Sequence, residues 1–198
     1  MKGDVAGKIP SRGFDHDRVV GAAAKEILWS LLESCGYTVY PFGYESTFAA
    51  VKRHLRDKRL EKNDLANRIR SMPDFIVADD EELPQLVEVK FRKTWDAQSR
   101  PMIGFGNWEI GRYKQFWPES VLVLLSPFGD RFFAQYVKSL DLDGDSYGRT
   151  MFEYAAFSSI SNIFQRTRGK LEHFQIGIDK LADLWKDEKK LISSSIGH

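Results

Sequence analysis

Asp74, Glu88 and Lys90 are the residues of this 198-residue chain best spaced to do chemistry together. Asp74 lies in Met72-Pro73-Asp74-Phe75-Ile76-Val77, and the other two in Gln85-Leu86-Val87-Glu88-Val89-Lys90-Phe91. Apolar, β-branched content predicts a strand in each segment, joined by a short acidic stretch that contains proline. Side chains two apart on a strand share a face, so Glu88 and Lys90 point one way and Val87, Val89 and Phe91 the other. A hairpin-like return brings Asp74 beside that pair. Two carboxylates offer hard oxygen ligands to Mg²⁺, and an adjacent lysine can orient or deprotonate an attacking water. Metal-assisted phosphodiester hydrolysis requires such a set. The competing reading is a surface hairpin on which Glu88 and Lys90 form a solvated charge ladder.

Pro73-Asp74 followed by Glu88-Val89-Lys90 resembles the PD-(D/E)XK nuclease superfamily, the restriction-endonuclease-like fold. The resemblance implies a Mg²⁺-dependent DNA endonuclease, with Mn²⁺ as substitute. It makes Asp74 and Glu88 metal ligands and Lys90 the catalytic lysine. Lys25-Glu26-Ile27-Leu28, placed before Gly36-Tyr37-Thr38-Val39, resembles the first helix of Holliday-junction resolvases. That likeness implies Glu26 as a third acidic catalytic and metal-binding group, branched or junction DNA as substrate, and a symmetric homodimer that cuts two strands. Glu26 also interrupts an otherwise apolar helix, where a carboxylate should need a partner. Glu33, two turns on, is the alternative. Ser46 falls where such resolvases place a small polar residue near the scissile phosphate, but a loop serine is more commonly a helix cap, and that reading is preferred. Glu109-x-x-x-Tyr113 resembles the Gln-x-x-x-Tyr pattern of some branches, with Glu for Gln. Lys114 and Gln115 on the same segment are candidates to hold phosphate.

Net charge is +1, so bulk charge offers no sign of nucleic-acid binding and distribution matters more. Lys52, Arg53, Arg56, Lys58, Arg59, Lys62, Arg68 and Arg70 face only Asp57, Glu61 and Asp64 in the stretch from Val51 to Arg70. Such an excess can meet phosphates, Arg53, Arg56 and Arg59 above all, together with Arg92 and Lys93 after the second motif. The alternative is a solvated helix laced with charge pairs. Trp95, Trp108, Phe116 and Trp117 could stack on unpaired bases or fill a core. The four histidines, His16, His54, His173 and His198, show no metal-ligand spacing. A single cysteine, Cys35, forms no internal disulfide or thiolate zinc site and reads as a packed residue. No apolar run approaches the ~18 residues of a membrane span, and Met1-Lys2-Gly3-Asp4 lacks a signal-peptide core, so a cytoplasmic protein is expected.

Around these residues the pattern predicts a helix over 17–34, a strand over 38–40, and a charged helix from 47 to about 70. The two motif strands come next, then a polar, glycine-rich connection over 93–106. A helix over 108–116, strands over 121–125 and 131–137, and helical sequence from Met151 onward complete the order. The continuous apolar run Val121-Leu122-Val123-Leu124-Leu125 suits a strand buried on both faces. The expected fold is α/β: a central mixed β-sheet flanked by helices, restriction-endonuclease-like, with a helical C-terminal extension. Expected boundaries are a loose N-terminal arm over 1–15, a nuclease-like core over 16–140 and the helical extension over 141–198. A non-catalytic nucleic-acid-binding or assembly module that retains the fold is the alternative function.

Overall fold

The structure is a computed structural model and describes residues 12–43, 63–80, 83–92, 95–97, 100–127, 129, 131–142 and 148–195. Helix α1 (Arg12–Ser34) carries a buried stripe of Val20, Ala24, Leu28, Leu31 and Leu32, at the spacing that puts one helix face on a core. Gly36 closes it with φ +84°, a left-handed conformation that glycine adopts without penalty. In chain order there follow β1 (Thr38–Pro41), α2 (Asp64–Arg70), β2 (Phe75–Ala78), β3 (Gln85–Phe91), β4 (Trp95–Ala97) and β5 (Arg100–Gly106). Then come α3 (Asn107–Phe116), β6 (Val121–Leu125), β7 (Phe132–Tyr136), β8 (Arg149–Glu153), β9 (Ser158–Ser159) and α4 (Leu171–Ser195).

Six strands make a mixed sheet in the order β1-β2-β3-β6-β7-β9. Only β3 and β6 pair in parallel, and the crossover between them contains α3, as a parallel connection requires. Every residue of β6 is buried. Val121, Val123 and Leu125 join a core with Val20, Leu28 and Ile178, so α1 and α4 cover one face. Leu122 and Leu124 join Ile103, Phe105, Ile110 and Tyr113, so α3 and β5 cover the other. Gly177 lets α4 lie close on α1, since a Cβ there would sit 3.2 Å from Ile27 Cδ1.

This layering fixes the motif strand. Glu88 lies opposite Leu122, and Lys90 opposite Leu124. Val87, Val89 and Phe91 enter the α1/α4 core. Slipping β3 by one residue would turn both charges into that core and expel three apolar side chains, each worth about 1.5–3 kcal/mol when buried. The register is therefore strongly determined.

Several expectations are corrected. α1 starts at Arg12, before the expected Asp17, so residues 12–15 belong to the helix rather than to a loose arm. Of the expected 47–70 helix, residues 47–62 lie outside the described residues; Asn63 is extended (φ −93°, ψ 115°) and its side chain caps Ala66 N at 2.9 Å, so α2 starts at Asp64. The supposed polar connection 93–106 holds β4 and β5, which pair with each other and then with β8 as a second, three-stranded sheet. Ile103 and Phe105 alternate inward between glycines, a strand period that the glycines obscured. The segment from Met151 is not uniformly helical: β8 buries Thr150 and Phe152 in alternation, β9 extends the central sheet, and α4 starts only at Leu171. The C-terminal portion is thus part of both sheets as well as a helical cover. Among the described residues no helix is long and apolar enough to cross a membrane.

Candidate active site

The site forms where two paired strands part. β2 and β3 run antiparallel with Phe75 opposite Val87, and their pairing stops there. Asp74 is the next residue beyond that last pair. Its backbone carbonyl accepts hydrogen bonds from Phe42 N (2.8 Å) and Gly43 N (3.1 Å), which draw it toward the chain leaving β1. Its side chain reaches back across the gap, and Val89 N–H donates to Asp74 Oδ2 at 2.9 Å. This grip explains why β2 begins at Phe75 rather than at Met72: Asp74 spends its hydrogen bonds holding the fork open.

On β3, Glu88 and Lys90 face α3. The Glu88 side chain accepts a 2.6 Å hydrogen bond at Oε1 from the Tyr113 hydroxyl, and Lys90 Nζ lies 2.7 Å from the same oxygen. Lys90 Nζ is also 2.9 Å from Glu109 Oε1, while Arg92 holds Glu109 Oε2 at 3.2 Å. Glu109 and Tyr113 are one helical turn apart on α3, so both reach the strand from one face. The network is buried, with Glu88 only 4% exposed. Burial and the neighbouring Asp74 charge push the Glu88 carboxyl up to about 7, against the pull of Lys90. Burial works to lower the Lys90 pKa, but Glu88, Tyr113 and Glu109 outweigh it and hold the ammonium well above its usual value. Burial raises and Lys90 and Arg92 lower the Glu109 carboxyl, with a net fall. Burial and Glu88 drive the Tyr113 phenol well up, so it stays a donor.

The fork opens into a cavity of about 350 Å³ lined by Asp74, Glu88, Lys90 and Tyr113, and by one face of α1. That face is Ala22, Lys25, Glu26 and Trp29, at helical spacing. Lys25 Nζ lies 2.5 Å from Asp74 Oδ1. Burial lowers the Lys25 pKa less than Asp74 raises it, so it too is held above the usual value. A second cavity of about 810 Å³ adjoins the first and shares Lys25, Glu88 and Lys90, with Arg18 and Arg92 in its wall.

Asp74, Glu88 and Lys90 are thus brought together at one opening, and Glu26 lies on its α1 wall. Glu26 is exposed, so the argument that a buried carboxylate there needs a partner does not apply. Glu33 is exposed and lines neither cavity. Arg92 borders the second cavity. Lys114 donates to the Leu140 carbonyl and Gln115 is exposed, and neither lines either cavity. Arg53, Arg56, Arg59, Lys93 and Ser46 lie outside the described residues. Trp117 packs edge-on to Phe42 with the Arg68 guanidinium over it, a structural use of an aromatic considered for base stacking. Trp108 is exposed beneath Arg112. Reading the sequence missed Lys25 and Arg70 as cavity residues. The 22/25/26/29 spacing carried that signal for Lys25. Arg70 was marked only as a member of the basic cluster from Val51 to Arg70.

The donor set fits a hard divalent cation. Asp74 and Glu88 bring carboxylates from two adjoining strands into one cavity, and the ammonium of Lys25 already sits on Asp74 Oδ1 as a stand-in cation. Among the described residues no three His, Cys, Asp or Glu side chains gather as a metal cage. Mg²⁺ does not need one, because it keeps several waters and is commonly held by one or two carboxylates. Comparison with known protein families, with curated proteins and with solved structures found no match to this chain.

Proposed function

We propose that this chain is a Mg²⁺-dependent DNA endonuclease of the PD-(D/E)XK type, in which Asp74 and Glu88 hold the metal and Lys90 acts on the phosphate. The observation that carries this reading is the meeting of Asp74, Glu88 and Lys90 at the β2/β3 fork, beside an open cavity. When bound, the cation supplies Lewis-acid polarisation of a phosphate oxygen. Lys90, caged by Glu88 and Glu109, keeps its proton on Nζ. Its part is therefore to donate hydrogen bonds and positive charge to the phosphate or to an attacking water, rather than to remove a proton. Tyr113 fixes the Glu88 carboxylate through Oε1, which aims it at the opening. Glu26 on the cavity wall is the third acidic group of this reading, and branched DNA, a homodimer and a cytoplasmic setting are its further parts.

The test is a cleavage panel of single-stranded, duplex, flap and four-way-junction DNA in Mg²⁺, Mn²⁺ and EDTA, with matched RNA. Cleavage of at least one DNA in Mg²⁺ but not in EDTA is expected. A second reading, a non-catalytic nucleic-acid-binding module of the same fold, draws on the pairing of both carboxylates with lysines. Binding of DNA without cleavage of any substrate in either metal would favour it.

A further inference from the structure

We infer that Lys25 is an internal counter-ion of this site, occupying the seat on Asp74 that a divalent cation takes, so that the cation loads by displacing it. The inference rests on the proposed metal-dependent reading and adds to it a control on loading. One oxygen of Asp74 is committed to Val89 N–H, which leaves Oδ1 for a cation, and Lys25 Nζ lies 2.5 Å from that oxygen. The charged groups lining the cavity balance, Asp74, Glu88 and Glu26 against Lys25, Lys90 and Arg70. Adding a divalent ion with Lys25 in place would set four cations against three anions in a partly buried space, where like charges repel strongly. Displacement avoids this.

Lysine suits the role. Its ammonium is a compact charge on a flexible four-carbon stem, unlike the rigid fork of arginine. The Lys25 side chain is 37% exposed and Asp74 only 11%, so the lysine is the mobile partner. It also has somewhere to go. Lys25 lines both cavities, and the larger one opens beside it. The concentration of cation needed to load the site is then set in part by Lys25, a residue that need not touch the metal.

The test is Mn²⁺ binding by titration calorimetry to the full chain, its Lys25→Met and Lys25→Gln variants, and Asp74→Asn in each background. Both Lys25 variants should bind Mn²⁺ about tenfold tighter or more, as expected when a competitor of ~1.4 kcal/mol is removed, and Asp74→Asn should abolish the gain. Using two variants guards against a fold defect in either. If Asp74→Asn weakens Mn²⁺ binding but the Lys25 variants match the unaltered chain or bind less tightly, the counter-ion role is overturned and the metal site stands. If Asp74→Asn leaves Mn²⁺ binding unchanged in every background, the metal site itself fails and the counter-ion role fails with it.

Discussion

Glu88 concentrates the chemistry of the site in a single carboxyl group. Its carboxyl is raised from 4.5 to about 7 by burial and by Asp74. A raised acid holds more protons in the folded than in the unfolded chain between these values. Its contribution is thus fully present below about 4.5 and is lost as pH rises through about 7. Without divalent cations, in EDTA, stability should fall between pH 5 and pH 8 by on the order of 3 kcal/mol from this group. Glu88→Gln should flatten that fall, because the amide does not titrate. Urea unfolding of both proteins at the two pH values reads the difference, and parallel profiles would contradict the assignment. Glu109 is the other informative residue. Glu109→Gln removes the second carboxylate from Lys90 and should lower cleavage roughly tenfold or more while leaving metal affinity within a few-fold, since Glu109 touches Lys90 and Arg92 rather than the carboxylates proposed to hold the metal. Equal loss of both would place Glu109 among the ligands. At this scale Asp74, Glu88 and Lys90 were legible, because strand alternation alone put Glu88 and Lys90 on one face. The pairing of Lys25 with Asp74 was not, because it joins residues 49 positions apart.

The elements that hold these residues differ in how plainly they were written. β3, β6 and α3 were legible because each carries its own signal: a motif strand, an apolar run buried on both faces, and a helix stopped before Pro118. β4, β5 and β8 were not: β5 and β8 pair across more than 40 residues, as between Phe105 and Thr150, and the three-residue β4 pairs only with β5. α1 is the element on which the site most depends, because one face packs on the sheet while another lines the cavity. Leu28 is fully buried on its packed face. Leu28→Ala should cost about 2–5 kcal/mol, measured by urea unfolding. A loss below about 1 kcal/mol would mean that α1 is only loosely docked, with a side chain that size leaving no effective cavity.

For the whole molecule, a net charge of +1 gives no general attraction to a polyanion, so the proposed nucleic-acid affinity rests on local clusters. The order of elements and the mixed central sheet were legible at this scale. The second sheet and the entry of the C-terminal portion into both sheets were not. If Arg53, Arg56 and Arg59 meet phosphates, replacing all three by Ala should weaken DNA binding and lower the slope of log affinity against log salt by roughly three, near one unit for each lost contact. Binding across a salt series settles it, and an unchanged slope assigns those arginines to a solvated surface.

The central claim is that Asp74, Glu88 and Lys90 form one metal-dependent hydrolytic site, and Lys90 tests it most directly because saturating Mg²⁺ takes any change in metal affinity out of the comparison. Single-turnover cleavage in saturating Mg²⁺ should fall roughly 10²–10³-fold in Lys90→Ala, with DNA affinity little changed. Cleavage by Lys90→Ala at a rate near that of the unaltered chain would make Lys90 a structural partner of Glu88 and would contradict the account.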